Sequence, residues 1–98
     1  MAAPEAETIS LEARRRRIKF RAWHRGMLET DLLLGRFANA EVDRLGEAEC
    51  DVFDALLEAL DRDVFAWATG ETPTPPEFDT PLFARIIAFH GGFFPART

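Results

Sequence analysis

Phe53, Leu56, Leu57 and Leu60 recur at i, i+3, i+4 and i+7. That spacing lines four apolar side chains along one side of an α-helix, whereas in a strand it would scatter them over both faces. The same period runs through much of the chain. Leu11, Ile18 and Ala22 mark one helical face, widened by Phe20 and Trp23, and Leu82, Phe83, Ile86, Ile87 and His90 mark another. No segment has the alternation and β-branched content of a strand. The pattern restricts the chain to an all-α fold, and 98 residues supply one modest core.

Capping signals set the boundaries. Ser10 is placed to cap a first helix from about Leu11 to Trp23 or His24. A second runs from about Met27 to Ala40. Its apolar residues Met27, Leu28, Leu32, Leu33, Leu34 and Phe37 form a face too broad for one neighbour, which predicts the central helix of a bundle. Gly35 lies inside it at a cost of about 1 kcal/mol relative to alanine, so a neighbouring helix is expected to pack closely there. Residues 40–46 form a connection with Val42 and Leu45 turned inward. The third helix begins near Glu47, with Glu47, Glu49 and Asp51 at its positive end. Asp61 interrupts the pattern and is placed to cap a short fourth helix, Arg62 to Thr69, closed by Gly70 in a left-handed conformation. The proline-rich stretch 72–79 reads as an extended loop. Thr80 and Pro81 restart a helix as cap and first residue, and Gly91-Gly92 stops it. The reading is a small single-domain five-helix bundle over residues 10–90. Residues 1–9 are expected to be disordered. In the tail, 91–98, Phe93 and Phe94 either pack back onto the body or face a partner.

Charge is distributed unevenly. Residues 1–26 carry a net +4 and residues 27–98 a net −9. A basic arm such as Arg14–Arg21 raises the alternative of a nucleic-acid-binding helical module, but the acidic remainder would repel a phosphate backbone. The favoured reading is a solvated helix face and no nucleic acid. No apolar run approaches the ~18 residues of a membrane span. The first residues lack the apolar stretch of a signal peptide, and Glu5 and Glu7 are foreign to an arginine-rich transit peptide.

Little in the sequence promises bond-making chemistry. His24 and His90 are the only histidines and stand far apart, without metal-ligand spacing. Cys50, the single cysteine, sits between Glu49 and Asp51, which disfavour a thiolate. Neither a GxGxxG nor a Walker-type loop is present, so tight binding of FAD or another nucleotide cofactor is not expected. Asp51, Asp54, Glu58, Asp61 and Asp63 read as a solvated face plus caps, and Trp67 as a core anchor.

One stretch stands apart. In Arg21-Ala22-Trp23-His24-Arg25-Gly26-Met27-Leu28-Glu29-Thr30-Asp31 a basic helix meets an apolar one at a glycine. Arg25 and Glu29 are four residues apart, and Gly26 between them bares the backbone. On physics alone an ordinary surface ion pair between the two would suffice. Arg25-Gly26-Met27-Leu28-Glu29, however, matches an RGxxE motif. With Asp31, Leu33, Leu34 and Phe37, and then Phe65-Ala66-Trp67-Ala68-Thr69-Gly70, it resembles the succinate dehydrogenase assembly factors that promote covalent flavin attachment. The resemblance spans about residues 14 to 90, and the lack of a presequence makes it resemble a bacterial, cytoplasmic member.

That family has a small five-helix fold. Its members are not catalysts. They bind the flavoprotein subunit of succinate dehydrogenase, or of the related fumarate reductase, while a histidine of that client is joined to the 8α-methyl carbon of FAD, which the client holds. The resemblance implies partner-binding roles for Arg25, Gly26, Met27 and Glu29, for Asp31 just after the motif, and for Arg17 on the preceding helix. Arg25 is expected to present its guanidinium fork to the client, and Glu29 to accept from a client arginine or to orient Arg25. The free chain is expected to be a monomer. A generic or antitoxin-like interaction module is the other alternative.

Overall fold

The computed structural model describes residues 10–90; the expectations for 1–9, for the Gly91-Gly92 stop and for Phe93 and Phe94 lie outside the described residues. Five α-helices follow one another: α1 Leu11–Trp23, α2 Leu28–Glu41, α3 Glu47–Leu57, α4 Asp61–Thr69 and α5 Pro81–Phe89. Short 3-10 turns at Val42–Arg44 and Pro76–Phe78 join them, and the described residues contain no strand. The fold is all-α, as the periodicity predicts.

The capping residues act as expected at three ends. Ser10 Oγ accepts from the Ala13 amide at 3.1 Å, Thr80 Oγ1 accepts from Phe83 at 3.1 Å, and Gly70 closes α4 at φ 81°. Two boundaries differ. Helix α2 continues past Ala40 to Glu41. Asp61 is the first residue of α4 rather than its cap, and its carboxylate serves another group.

Helix α2 is central and packs on α1, α4 and α5. Leu33, Leu34, Phe37 and Ala38 of α2 are buried with Ile18 and Ala22 of α1 and Phe53, Leu56 and Leu57 of α3. Val64 and Ala68 of α4 and Leu82, Phe83 and Ile86 of α5 complete the core. Val42 and Leu45 are turned inward, as the connecting segment predicts, and Cys50 is fully buried. Burial pushes the Cys50 thiol above its ordinary pKa, with Asp54 and Asp51 adding to the effect and Arg14 and Arg15 opposing it. The loop 72–79 is not simply extended. Its 3-10 turn lays Phe78 flat on Trp67 at 5.0 Å, and Phe83 meets Trp67 edge-on at 6.5 Å, so Trp67 anchors α4 to the loop and to α5.

Gly35 marks the close approach that its place in α2 predicts. A Cβ there would lie 2.5 Å from Cδ2 and Cε2 of Trp23 on α1, so the indole lies over bare backbone.

Three residues read as apolar stripe stand outside the core. Phe20 is 63 % exposed and stacks on His24 at 4.0 Å, Leu28 is 69 % exposed, and Leu60 is 57 % exposed. Leu60 leaves the stripe because α3 ends at Leu57, before the i+7 position is reached. Leu28 opens α2, ahead of the turns that α1 and α4 cover.

The polar faces of α1 and α3 are solvated as expected at Asp51 and Glu58, but their charges also pair across the two helices. Arg14 bonds Asp51 at 2.7 Å and Asp54 at 2.9 Å, and Arg21 bonds Glu58 at 2.7 Å. Arg14, Arg17 and Arg21 therefore lie along the acidic side of α3 and pair with its carboxylates. This weighs against the nucleic-acid alternative, which needs those arginines free.

His90, at the end of α5, is buried, and its Nε2–H donates to the Leu33 carbonyl of α2 at 2.8 Å. Burial lowers its pKa below the ordinary 6.5; the Leu33 bond opposes that shift and the positive Arg36 adds to it. Between the lowered value and 6.5 the unfolded chain holds a proton that the folded chain lacks, so stability rises with pH across that window. Urea unfolding between pH 7.5 and 5 is expected to show stability falling on acidification below about 6.5. In His90→Gln, which keeps a donor for Leu33, the slope is expected to flatten. An identical slope in the variant would assign the effect to other groups.

Candidate partner-binding surface

The turn between α1 and α2 is built on Gly26. Its φ of +107° lies where side-chain-bearing residues are strained, and a Cβ would meet only Asp61 Oδ2 at 3.6 Å. Glycine is thus required first by backbone conformation. Gly26 is exposed, so the bare backbone expected of the motif does face outward.

Arg25 does not present its fork to the surroundings. Its side chain is 9 % exposed. Nε bonds Asp61 Oδ1 at 2.7 Å, Nη1 donates to the Leu57 carbonyl at 2.5 Å, and Nη2 donates to the Ala59 carbonyl at 2.5 Å. The expected Arg25–Glu29 ion pair is not formed, and Glu29 does not orient Arg25. The reason lies at the end of α3. A helix C-terminus leaves carbonyls without intrahelical donors and carries partial negative charge. A guanidinium satisfies two such carbonyls and a carboxylate at once. Arg25 therefore ties the α1–α2 turn to the α3–α4 turn.

Asp31 braces the same turn from the other side, its Oδ1 accepting from the Arg25 amide at 2.8 Å. Thr30, fully buried, donates through Oγ1 to the Met27 carbonyl at 3.1 Å. Met27 is half-buried, with extended backbone just ahead of α2. Glu29 is exposed and, among the described residues, has no hydrogen bond or ion pair. Arg17 lies apart; its ion pair, at 3.9 Å, is with Asp54 of α3 rather than with any residue of the motif.

The residue that sequence reasoning missed is Asp61. Read as a cap, it is 16 % exposed and holds Arg25 across 36 positions of sequence. The one available signal was the end of α3 itself, which needs donors for its last carbonyls.

A hollow of about 660 Å³ lies elsewhere, between α4, the loop and α5, lined in part by Trp67, Pro73, Asp79, Phe83 and Ile87. No helix among the described residues is long and apolar enough to cross a membrane.

Fold and surface together define a small all-α protein that exposes a braced glycine turn followed by a glutamate without a partner among the described residues. Residues 16–90 match the family described as flavinator of succinate dehydrogenase, and the chain belongs to that family. It is 42 % identical to the FAD assembly factor SdhE of Acetobacter pasteurianus, over 80 % of this chain and 72 % of that protein. It is 37 % identical to succinate dehydrogenase assembly factor 2, mitochondrial, of Drosophila grimshawi, over 85 % of this chain and 58 % of that one. The corresponding protein of Dictyostelium discoideum is 33 % identical, over 86 % and 59 %. The chain thus spans somewhat more than half the length of these mitochondrial relatives.

Proposed function

We propose that this chain binds the flavoprotein subunit of succinate dehydrogenase and promotes covalent attachment of FAD to it, without itself being the catalyst. Fumarate reductase, whose flavoprotein is related, is a second client of the same kind. FAD is held by the client, and this chain binds none tightly. It acts as a monomer in the bacterial cytoplasm. Its contribution is positioning: a braced surface that holds the client in the arrangement its own bond-forming step requires.

The observation that carries this reading is the combination of an exposed Gly26 and an unpaired Glu29 on one braced turn, in a chain of this family. Glu29 is exposed and has no hydrogen bond or ion pair among the described residues, so it is available to a client arginine or backbone amide. Gly26 lets the client backbone come close. Arg25 and Asp31 act from inside, holding the turn that displays them.

The test mixes the purified chain with its cognate apo-flavoprotein and FAD, then reads flavin fluorescence on the denatured client. The expected result is covalent flavin well above the factor-free control. Glu29→Ala is expected to reduce that gain at least about tenfold, since truncating one partner of a buried interface charge pair costs about 2–5 kcal/mol. Its unfolding free energy should stay within about 0.5 kcal/mol of wild type, because Glu29 holds nothing inside the fold. No gain over the control would overturn the reading.

A further inference from the structure

The α3–α4 turn presents a feature that the motif does not include. Leu60 is 57 % exposed although its neighbours Leu56 and Leu57 are buried. Met27, Leu60, Asp61 and Arg62 line a shallow open hollow of about 430 Å³. The Arg25 bonds to Leu57, Ala59 and Asp61 fix this hollow beside Gly26, and Leu28, 69 % exposed, and Glu29 follow Met27 directly. Arg62 lines the hollow, and Glu29 lies two residues beyond Met27; both are exposed, and neither has a hydrogen bond or ion pair among the described residues. Seven of the twelve lysines and arginines, Arg14, Arg17, Lys19, Arg21, Arg25, Arg44 and Arg85, are engaged with carboxylates among the described residues.

We infer that Leu60 and Arg62 complete the partner-binding surface, receiving an apolar side chain of the flavoprotein subunit in the hollow and an acidic group of it at Arg62. This rests on the function proposed above and extends it to a segment more than thirty residues away in sequence. The occupant's chemistry follows from the lining. An apolar floor made by Met27 and Leu60 favours an apolar knob. Arg62, without a carboxylate partner among the described residues, favours an acidic group of the client beside that knob, as Glu29 favours a basic one near the glycine turn. The exposed leucines would otherwise stay in water, and covering them stabilises the complex in proportion to the apolar area removed.

Binding of the fluorescently labelled full chain to the purified apo-flavoprotein subunit, measured by anisotropy, tests this. Leu60→Asp is expected to weaken binding at least about tenfold, and Leu60→Met to bind within about twofold of wild type. Arg62→Glu is expected to weaken binding severalfold at low salt, with the difference shrinking at 0.5 M salt as the charges are screened. Both altered residues are exposed, so melting curves should match wild type; if Leu60→Asp melts early, Arg62→Glu alone decides. Wild-type affinity in Leu60→Asp, or in Arg62→Glu at low salt, overturns the inference and leaves the proposed function standing. A wild-type chain that does not bind the subunit overturns both.

Discussion

Arg25→Ala is expected to lower the unfolding free energy by about 3 kcal/mol, the largest single loss of any polar substitution in this chain. The substitution strands the Asp61 carboxylate at 16 % exposure and leaves the Leu57 and Ala59 carbonyls without their donor. Removing one member of a buried pair costs about 3–5 kcal/mol, and the partial exposure here places the loss at the lower end. Urea unfolding followed by circular dichroism measures it. Arg25→Lys should recover only part, because a single ammonium cannot reach two carbonyls and a carboxylate in the geometry of the guanidinium fork. A loss under about 1 kcal/mol for Arg25→Ala would mean that the bonds behave as an exposed surface pair. The prediction bears on how motif variants are read. Under the proposed function, Arg25 variants are expected to lose activity through the fold and Glu29 variants at the surface, and a stability measurement separates the two.

Gly35→Val is the second large effect. The added Cβ would lie 2.5 Å from the middle of the Trp23 indole and 2.9 Å from its Cγ, so α1 or the ring must move. Forcing extra carbons into a packed seam costs about 1–3 kcal/mol, and a β-branched residue gains little helix propensity in return. A loss of about 3 kcal/mol in thermal or urea unfolding is expected. Trp23→Ala in the same chain should relieve the clash, so that the double variant loses at least about 1 kcal/mol less than the two single losses together. Additive losses would show that the two side chains do not compete for the same space.

The elements were readable because their signals are local. Ser10, Thr80-Pro81 and Gly70 announce helix ends within a few residues, and Gly35 declared a close neighbour by being a poor helix former in a helix interior. Leu60 shows where local signals stop. Periodicity places a residue on a face only while the helix continues, and α3 ends three residues earlier. The surface was half legible. The motif pointed to Gly26 and Glu29, which are exposed, but Arg25 was read outward because its partners are the carbonyls of Leu57 and Ala59 and the carboxylate of Asp61. Backbone acceptors leave no trace in residue type, and no spacing rule connects position 25 to position 61. The same limit hid the pairing of the α1 arginines with the α3 carboxylates, since each set alone resembles a solvated face.

The tie between Arg25 and the α3–α4 turn has a thermodynamic consequence for docking. Two loops on the same rim would each lose conformational freedom on meeting a partner, at about 1–2 kcal/mol for every residue fixed. Here that ordering is completed during folding, by bonds that run from one loop to the other. Association then draws on contact energy with little entropic loss from this chain, and its dissociation rate should respond to distant substitutions that slacken the clasp. An eleven-kilodalton chain can in this way offer a partner a surface whose shape is set before they meet.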